Sequence, residues 1–201
     1  MTRTVLFDLG NVVVDWEPVR LYRQVFETEA EAEHFCREVC TMEWHLAHDL
    51  GVPMADNRQA LIDQYPGHAE AITAWDTRWM EMFHGYVPGV PTLMARLEER
   101  GVPLFGLSNM PAEKAGETFD AFPIIHLLRD VVVSGAEKVA KPDRRIYEIT
   151  HARMAAPAPS DVLFIDDRQD NIDAAEAFGF RGHLFTGAAG LEAALERHGV
   201  L

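Results

Sequence analysis

The chain has 201 residues, a formal net charge of -14 and 48% hydrophobic residues. A surface this acidic argues against nucleic acid as a partner, because phosphate backbones require basic surfaces. No apolar run approaches the length that crosses a membrane, and the N-terminus lacks a signal-peptide pattern, so we expect no membrane partner. Cys36 and Cys40 lie four positions apart on a predicted helix, a spacing that does not favour a disulfide. We therefore expect a reducing, cytoplasmic setting.

An acidic side chain stands at the end of the first predicted strand. Residues 4–9 form a short apolar run bounded by Gly10, which predicts a buried strand. Asp8 lies at its carboxyl end, where open α/β sheets place their ligands. On this segment alone, an Asp that merely starts a turn is the simpler interpretation, and only the later motifs outweigh it.

Residues 15–85 show helical periodicity and no convincing strand. Inserted directly after the first strand, such a block predicts a cap over the ligand-binding edge of the sheet. Trp44, His45 and His48 lie on one predicted helix and favour a surface that faces the substrate, although plain packing is the default interpretation for Trp44. Trp16, near the expected hinge, is a candidate for the pocket wall.

From Pro88 onward, helices and strands alternate. Helices are predicted at 89–100, from 111, at 143–154, at 171–178 and from 191; strands at 102–107, 131–133, 162–165 and 182–185; and a loop at 155–159. This alternation predicts a parallel sheet covered on both faces. The expected fold is an α/β Rossmann-like three-layer sandwich with an inserted helical cap. Its predicted domains are a core of residues 1–14 plus 86–201 and a cap of residues 15–85.

Polar residues follow four apolar segments in chain order: Asp8, Ser108 with Asn109, Lys141, and Asp166 with Asp167. If these segment ends meet, three carboxylates share one small site and repel each other unless a cation joins them. An oxygen-only ligand set is the one that Mg²⁺ prefers, completed by water and a substrate phosphate. Asp8 and Asp167 are the first choices as ligands, with a carbonyl from the turn at Gly10. Asp166 either binds the metal through water or forms an ion pair with Lys141.

A carboxylate in this position can attack phosphorus and form an aspartyl-phosphate. Mg²⁺ and Lys141 would offset the repulsion between the nucleophile and the phosphate. Ser108 and Asn109 could donate hydrogen bonds to the non-bridging oxygens. Phosphoryl transfer requires mainly positioning and charge neutralisation, and this set supplies both.

Together the four motifs resemble those of the haloacid dehalogenase superfamily of hydrolases: Phe7-Asp8-Leu-Gly-Asn-Val, Leu107-Ser108-Asn109, Lys141-Pro142-Asp143 and Phe164-Ile-Asp166-Asp167. The resemblance spans the chain and implies an aspartyl nucleophile at Asp8, a catalytic Lys141 and a magnesium site. It also implies phosphate binding by Ser108, Asn109 and the turn at Gly10 and Asn11. Within the superfamily, the chain most resembles the small sugar-phosphate phosphatases that carry Phe-Asp-Leu-Gly-Asn-Val, which are similar to α-glucose-1-phosphate phosphatase.

One position departs from the superfamily pattern. Most of its phosphatases have a second Asp two positions after the nucleophile as general acid, and here that position is Gly10. The leaving group could depart with less help, Asp15 or a cap histidine could act as the acid, or the substrate could lack phosphate altogether. The superfamily's metal-independent 2-haloacid dehalogenases also lack that Asp, and they remain an alternative. A binding or regulatory protein with little turnover is the third hypothesis.

Overall fold

The computed structural model describes residues 4–154 and 158–201, so residues 155–157 of the loop predicted at 155–159 lie outside the described part. A central sheet contains five strands: β1 (Thr4–Phe7), β4 (Leu104–Ser108), β5 (Val131–Val133), β6 (Val162–Asp166) and β7 (Arg181–Leu184). Their order is β5-β4-β1-β6-β7, and each neighbouring pair is parallel. The predicted parallel α/β sheet is confirmed.

Strand β1 occupies the centre of the sheet, with Phe7 opposite Gly106 of β4 and Ile165 of β6. Its side chains alternate between the two faces, so Val5 and Phe7 pack in one apolar cluster and Leu6 in another. Because parallel strands share one carboxyl-terminal edge, residue 8, residue 109 and residue 167 follow their strands at the same side of the sheet.

Helices cover both faces of this sheet. The helices that follow the inserted segment are α6 (Val90–Glu99), α7 (Ala112–Ala121), α8 (Ser134–Glu137), α9 (Arg144–Arg153), α10 (Gln169–Phe178) and α11 (Ala188–Arg197). Buried residues of α6 and α11 pack in the cluster of Val5, whereas those of α9 and α10 pack in the cluster of Leu6. The three-layer arrangement follows from these two apolar faces.

Five helices are inserted between the first and second strands of the sheet: α1 (Val19–Tyr22), α2 (Glu29–Glu38), α3 (Met42–Asp49), α4 (Met54–Gln64) and α5 (Ala69–Thr77). They have an apolar core of their own, in which Trp75, Ile72 and Tyr22 are fully buried. Thr28 and Thr41 accept hydrogen bonds from backbone N–H groups at the starts of α2 and α3, which fixes where those helices begin.

The prediction of no strand in residues 15–85 is wrong at both ends of that range. Strands β2 (Val14–Trp16) and β3 (Phe83–Tyr86) pair antiparallel and form a short ribbon at the base of the inserted helices. The helical pattern that continues to Phe83 also breaks, because α5 ends at Thr77 and a 3-10 turn follows. Strands of three or four residues are too short to show alternation, and pairing between distant segments decides them. The domain boundaries at 14/15 and 85/86 stay a prediction, since this ribbon spans both.

Side chains of the inserted helices are bonded to the core beneath them. The indole N–H of Trp79 donates to the Thr118 hydroxyl at 3.1 Å, and Lys114 Nζ lies 3.0 Å from a carboxylate oxygen of Asp76. Gly51 lies so close to the carbonyl oxygen of Gly135 that a Cβ there would stand 2.7 Å away. The end of α3 therefore rests directly on the core.

Cys36 and Cys40 are both free thiols. Among the described residues, no helix combines the length and the apolar character needed to span a bilayer. The cytoplasmic setting stays a prediction.

Candidate active site

A buried ion-pair cluster lies at the carboxyl edge of the sheet. Lys141 Nζ is 2.9 Å from Asp8 Oδ1 and 2.7 Å from Asp166 Oδ2, and it donates to the Leu107 carbonyl at 3.1 Å. Burial disfavours the ammonium, but Asp8 and Asp166 overcome this and raise the pKa of Lys141. The structure thus brings together ends of β1, β4 and β6, as the motifs predict.

Asp166 is the most fully bonded member of this cluster. The Asn171 amide donates to both of its oxygens, at 2.9 and 3.1 Å, and the Arg168 backbone N–H donates to Oδ1 at 2.9 Å. With Lys141 on Oδ2 as well, these oxygens are engaged by protein donors. Of the two roles left open for Asp166, this geometry shows the ion pair with Lys141.

Asn109 holds the backbone that carries Lys141. Its amide nitrogen donates to the Lys141 carbonyl at 3.0 Å, and its amide oxygen accepts from the Lys141 N–H at 2.9 Å. Ser108, at the end of β4, is buried and lines the same cavity. Asn109 therefore positions Lys141, and it also lines the cavity.

The turn after Asp8 shapes the opposite side of the cavity. The Leu9 N–H donates to Asp8 Oδ1 at 2.7 Å. Asn11 adopts a left-handed φ of 59°, which Asn tolerates better than most residues, and its side-chain oxygen accepts from the Trp16 N–H at 3.1 Å. At Gly10 an added Cβ would meet nothing within 4 Å. The space beside Gly10 is therefore open.

Three carboxylates at this edge fit a divalent cation. Oxygens of Asp8, Asp166 and Asp167 lie within 4.8 Å of one another. Burial, opposed by Lys141 and reinforced by Asp166, raises the pKa of Asp8 to about 7, and burial together with Asp166 raises that of Asp167. A hard cation such as Mg²⁺ binds oxygen ligands, and its charge would offset the repulsion among these carboxylates.

The cavity above these residues has a volume of about 450 Å³. Its floor is polar: Asp8, Asn11, Ser108, Asn109, Lys141 and Asp167. Its remaining wall is largely apolar: Val14, Trp16, Met42, Leu46, Trp79 and Phe83. Both the inserted helices and the β2–β3 ribbon contribute to this wall, so they shape the space that a substrate would occupy.

The structure separates the four aromatic and histidine positions whose role the sequence leaves open. Trp16 and His45 line the cavity, whereas Trp44 and His48 do not. Trp44 packs edge-on against Trp75 at 5.3 Å and donates its indole N–H to the Asn57 carbonyl. Its position is that of a packing residue.

The structure also distinguishes two acidic residues of the inserted segment, Asp15 and Asp49, by whether they line the cavity. Asp15 forms an ion pair with Arg20 at 2.8 Å and is absent from the cavity wall. Asp49, which sequence reasoning missed, lines the cavity and is buried. The available signal was an acidic residue in the last turn of a helix, where the helix dipole favours cations.

Fold and site together define a hydrolase class. A family model described as haloacid dehalogenase-like hydrolase matches residues 2–179. The chain belongs to the haloacid dehalogenase-like hydrolase family, and the predicted family and hydrolase class are confirmed.

Several proteins are similar to this chain at low identity. A sesquiterpene phosphatase from Aspergillus oryzae is 22% identical over 182 residues, covering 90% of this chain and 88% of that protein. A HAD family enzyme from Bacteroides thetaiotaomicron, solved with magnesium and inorganic phosphate, has a TM-score of 0.69 at 16% identity and covers 93% of this chain and 96% of that one. The L-2-haloacid dehalogenase from Xanthobacter autotrophicus, solved with chloropropionic acid covalently bound, has a TM-score of 0.69 at 16% identity and covers 100% of this chain and 85% of that one. At these identities the solved structures show a shared fold.

Proposed function

We propose that this hydrolase is a Mg²⁺-dependent phosphatase that cleaves a small phosphorylated metabolite through an aspartyl-phosphate on Asp8. The observation that carries the proposal is the position of Asp8, with Lys141 at 2.9 Å on one oxygen and Asp167 close enough to share a cation. Asp8 would attack phosphorus, and Lys141 would neutralise charge on the transferring group. Ser108, Asn109 and the turn through Gly10 and Asn11 would hold the phosphate oxygens.

Asp8, Asp167 and the Gly10 carbonyl would hold Mg²⁺. Asp166 would not bind the ion directly, because it forms the ion pair with Lys141. When bound, the ion would supply charge neutralisation between the nucleophile and the phosphate. Two relatives support this proposal, since one is named a phosphatase and another was solved with magnesium and phosphate.

The sugar phosphate predicted from the subgroup resemblance stays a prediction. The apolar wall favours a leaving group with at least one apolar face, because such a group removes that wall from water. Met42 and Leu46, which line the cavity, are also among the most exposed large hydrophobic side chains described. They extend the apolar wall to the outside of α3. The indole N–H of Trp16 is buried without a described partner and could donate to one substrate oxygen.

A substrate panel tests this function. Purified protein is assayed for phosphate release from 4-nitrophenyl phosphate, benzyl phosphate, prenyl phosphates and sugar 1-phosphates, first with EDTA and then with Mg²⁺ restored. We expect turnover that EDTA abolishes and Mg²⁺ returns, and none from Asp8→Asn. Turnover unchanged by EDTA would show that the phosphatase activity does not depend on Mg²⁺.

The dehalogenase remains a second candidate because Gly10 leaves no acid beside Asp8, and a halide leaves without a proton. Release of halide from 2-chloropropionate in EDTA, without phosphate release from any panel member, would replace the phosphatase proposal.

A further inference from the structure

Asp49 is a buried carboxyl group that faces the cavity without a described hydrogen bond on Oδ1. It is the last residue of α3, its exposed fraction is 6%, and it lines the cavity. Oδ1 has no hydrogen-bond partner among the described residues; the nearest charged or titratable neighbour is His45 Nε2 at 3.5 Å. A carboxylate at a helix C-terminus, buried and unpaired, destabilises the fold, so its protonated form is the one that this position favours.

A chain of hydrogen bonds sets which nitrogen of His45 carries its proton. The Asn57 amide nitrogen donates to the Trp44 carbonyl at 3.1 Å, and a carbonyl can only accept, so the amide orientation is fixed. The same nitrogen lies 2.9 Å from His48 Nε2, which must therefore accept. A neutral His48 then carries its proton on Nδ1.

That proton points at the second histidine. His48 Nδ1 and His45 Nδ1 are 3.3 Å apart, so His48 donates and His45 accepts. A neutral His45 then carries its proton on Nε2, the atom that faces Asp49. With an N–H in front of Oδ1, the other oxygen of Asp49 is the one left to carry the proton of the carboxyl group.

Both imidazoles are neutral at physiological pH. Burial and the neighbouring His48 lower the pKa of His45 to about 3, and burial lowers that of His48 to about 4. The ring of His45 lies 5.1 Å from Trp75 and 5.6 Å from Trp16, centroid to centroid, so indoles surround it in place of water. Among the described residues, His45 from its own helix and Lys141 from the core are the titratable groups that act on Asp49. Burial raises the pKa of Asp49 to about 7, against the opposing effect of Lys141.

Contact with the core fixes the height of Asp49 above the floor of the cavity. A Cβ on Gly135 would lie 3.1 Å from the His48 carbonyl oxygen, and one on Gly51 would lie 2.7 Å from the Gly135 oxygen. The end of α3 and the start of α8 therefore pack backbone against backbone. The last turn of α3 therefore cannot move toward the core, and Asp49 and Asp8 line the same cavity.

We propose that Asp49 is the general acid of this enzyme, in place of the second Asp missing at position 10. The inference rests on the proposed phosphatase function. When Asp8 attacks phosphorus, the bond from phosphorus to the leaving oxygen breaks, and the Asp49 carboxyl gives that oxygen its proton, so an alcohol leaves. The Asp49 carboxylate then takes a proton from the water that attacks the aspartyl-phosphate, and phosphate and free Asp8 result. Asn57 and His48 place the His45 proton on Nε2, 3.5 Å from Asp49 Oδ1.

The dependence on leaving group tests this role. Benzyl phosphate and 4-nitrophenyl phosphate are similar in size and shape, but only the benzyl alkoxide needs a proton to depart. We expect Asp49→Asn to lower kcat/KM for benzyl phosphate by roughly 100- to 10,000-fold, and for 4-nitrophenyl phosphate by less than about tenfold. Asp56→Asn is the matched control, because Asp56 is an exposed acid in the first turn of α4. It should change kcat/KM for neither substrate.

Gly10→Asp in the Asp49→Asn background provides a rescue, because the space beside Gly10 is open. We expect the double variant to have a kcat/KM for benzyl phosphate at least about tenfold higher than that of Asp49→Asn alone. A purely structural role of Asp49 would not allow this increase. If the wild-type protein is active and Asp49→Asn lowers both substrates equally or neither, Asp49 is not the acid. If the wild-type protein hydrolyses neither substrate with Mg²⁺, the phosphatase function itself is wrong, and this inference with it.

Discussion

Two clusters of polar residues, one in the core and one in the inserted helices, differ in what lies beside their buried carboxyl groups. The core cluster is Asp8, Lys141, Asp166, Asn109 and Asn171; the cap cluster is His45, His48, Asp49 and Asn57. In the core cluster, the Lys141 ammonium lies between the Asp8 and Asp166 carboxyl groups, and the Asn171 amide donates to Asp166. In the cap cluster, burial among indoles keeps the imidazoles neutral and raises the pKa of Asp49. One wall of the cavity supplies an ammonium bonded to two carboxyl groups, and the other supplies a carboxyl group beside two neutral imidazoles.

The largest effect is expected at Asp8 and separates activity from stability. Asp8→Asn should lower kcat by roughly 10,000-fold or more, because the nucleophile is lost. Stability in EDTA at pH 8 should be unchanged or higher, since burial disfavours the Asp8 charge and Lys141 keeps Asp166 as its partner. Single-turnover assays and urea unfolding measure the two quantities. A variant that loses both would show that the Asp8 charge stabilises the fold.

Lys141→Met should affect both quantities. It leaves two buried carboxylates without their cation, which costs about 3–5 kcal/mol of unfolding free energy, and it should lower kcat by roughly 100- to 1,000-fold. Lys138→Met, an exposed lysine of the same segment, is the control and should shift stability by less than about 0.5 kcal/mol. Equal stability of the two variants in urea unfolding would contradict the view that the core cluster depends on this ion pair.

Loss of the Trp79 partner tests how the inserted helices are held on the core. Thr118→Val conserves shape and leaves the buried indole N–H without its acceptor, so we expect about 1–3 kcal/mol lower stability. Thr77→Val, an exposed threonine near the end of α5, is the control. Thermal unfolding with fluorescence detection measures both, and an unchanged Thr118→Val would mean that this bond does not stabilise the contact.

The smallest expected effect is the pH dependence that Asp49 gives to stability. Burial raises its pKa from 3.8 to about 7, so the folded protein binds this proton more tightly than the unfolded chain. The resulting stabilisation is complete below about pH 4 and is lost as pH rises through about 7. The wild type should therefore lose stability between pH 4.5 and pH 8, and Asp49→Asn should not. The unfolding free energy of the variant minus that of the wild type should be more positive at pH 8 than at pH 4.5. Urea unfolding at both pH values checks the sign, and parallel curves for the two proteins would contradict it.

Short-range pattern in the sequence predicts the core of the molecule well. Asp8, Ser108, Asn109, Asp166 and Asp167 each end or directly follow an apolar strand, and parallel strands must bring such positions to one edge of the sheet. Lys141 reaches that edge from the segment between α8 and α9, where Asn109 bonds its backbone. The pattern could not choose between a water-mediated metal contact and an ion pair for Asp166. That choice depends on where Asn171 and the Arg168 N–H lie, one turn into α10 and at its start.

The sequence alone determined the five strand segments of the parallel sheet, the acidic edge and the departure at Gly10, because these follow from local apolar periodicity and from single residue types. Only the tertiary structure decided the β2–β3 ribbon and the role open to Asp49. Both depend on segments distant in sequence, since strands of three or four residues form only against a partner. The proton affinity of a carboxyl group likewise depends on what surrounds it, and around Asp49 those surroundings come from α3, the inserted indoles and Lys141 of the core.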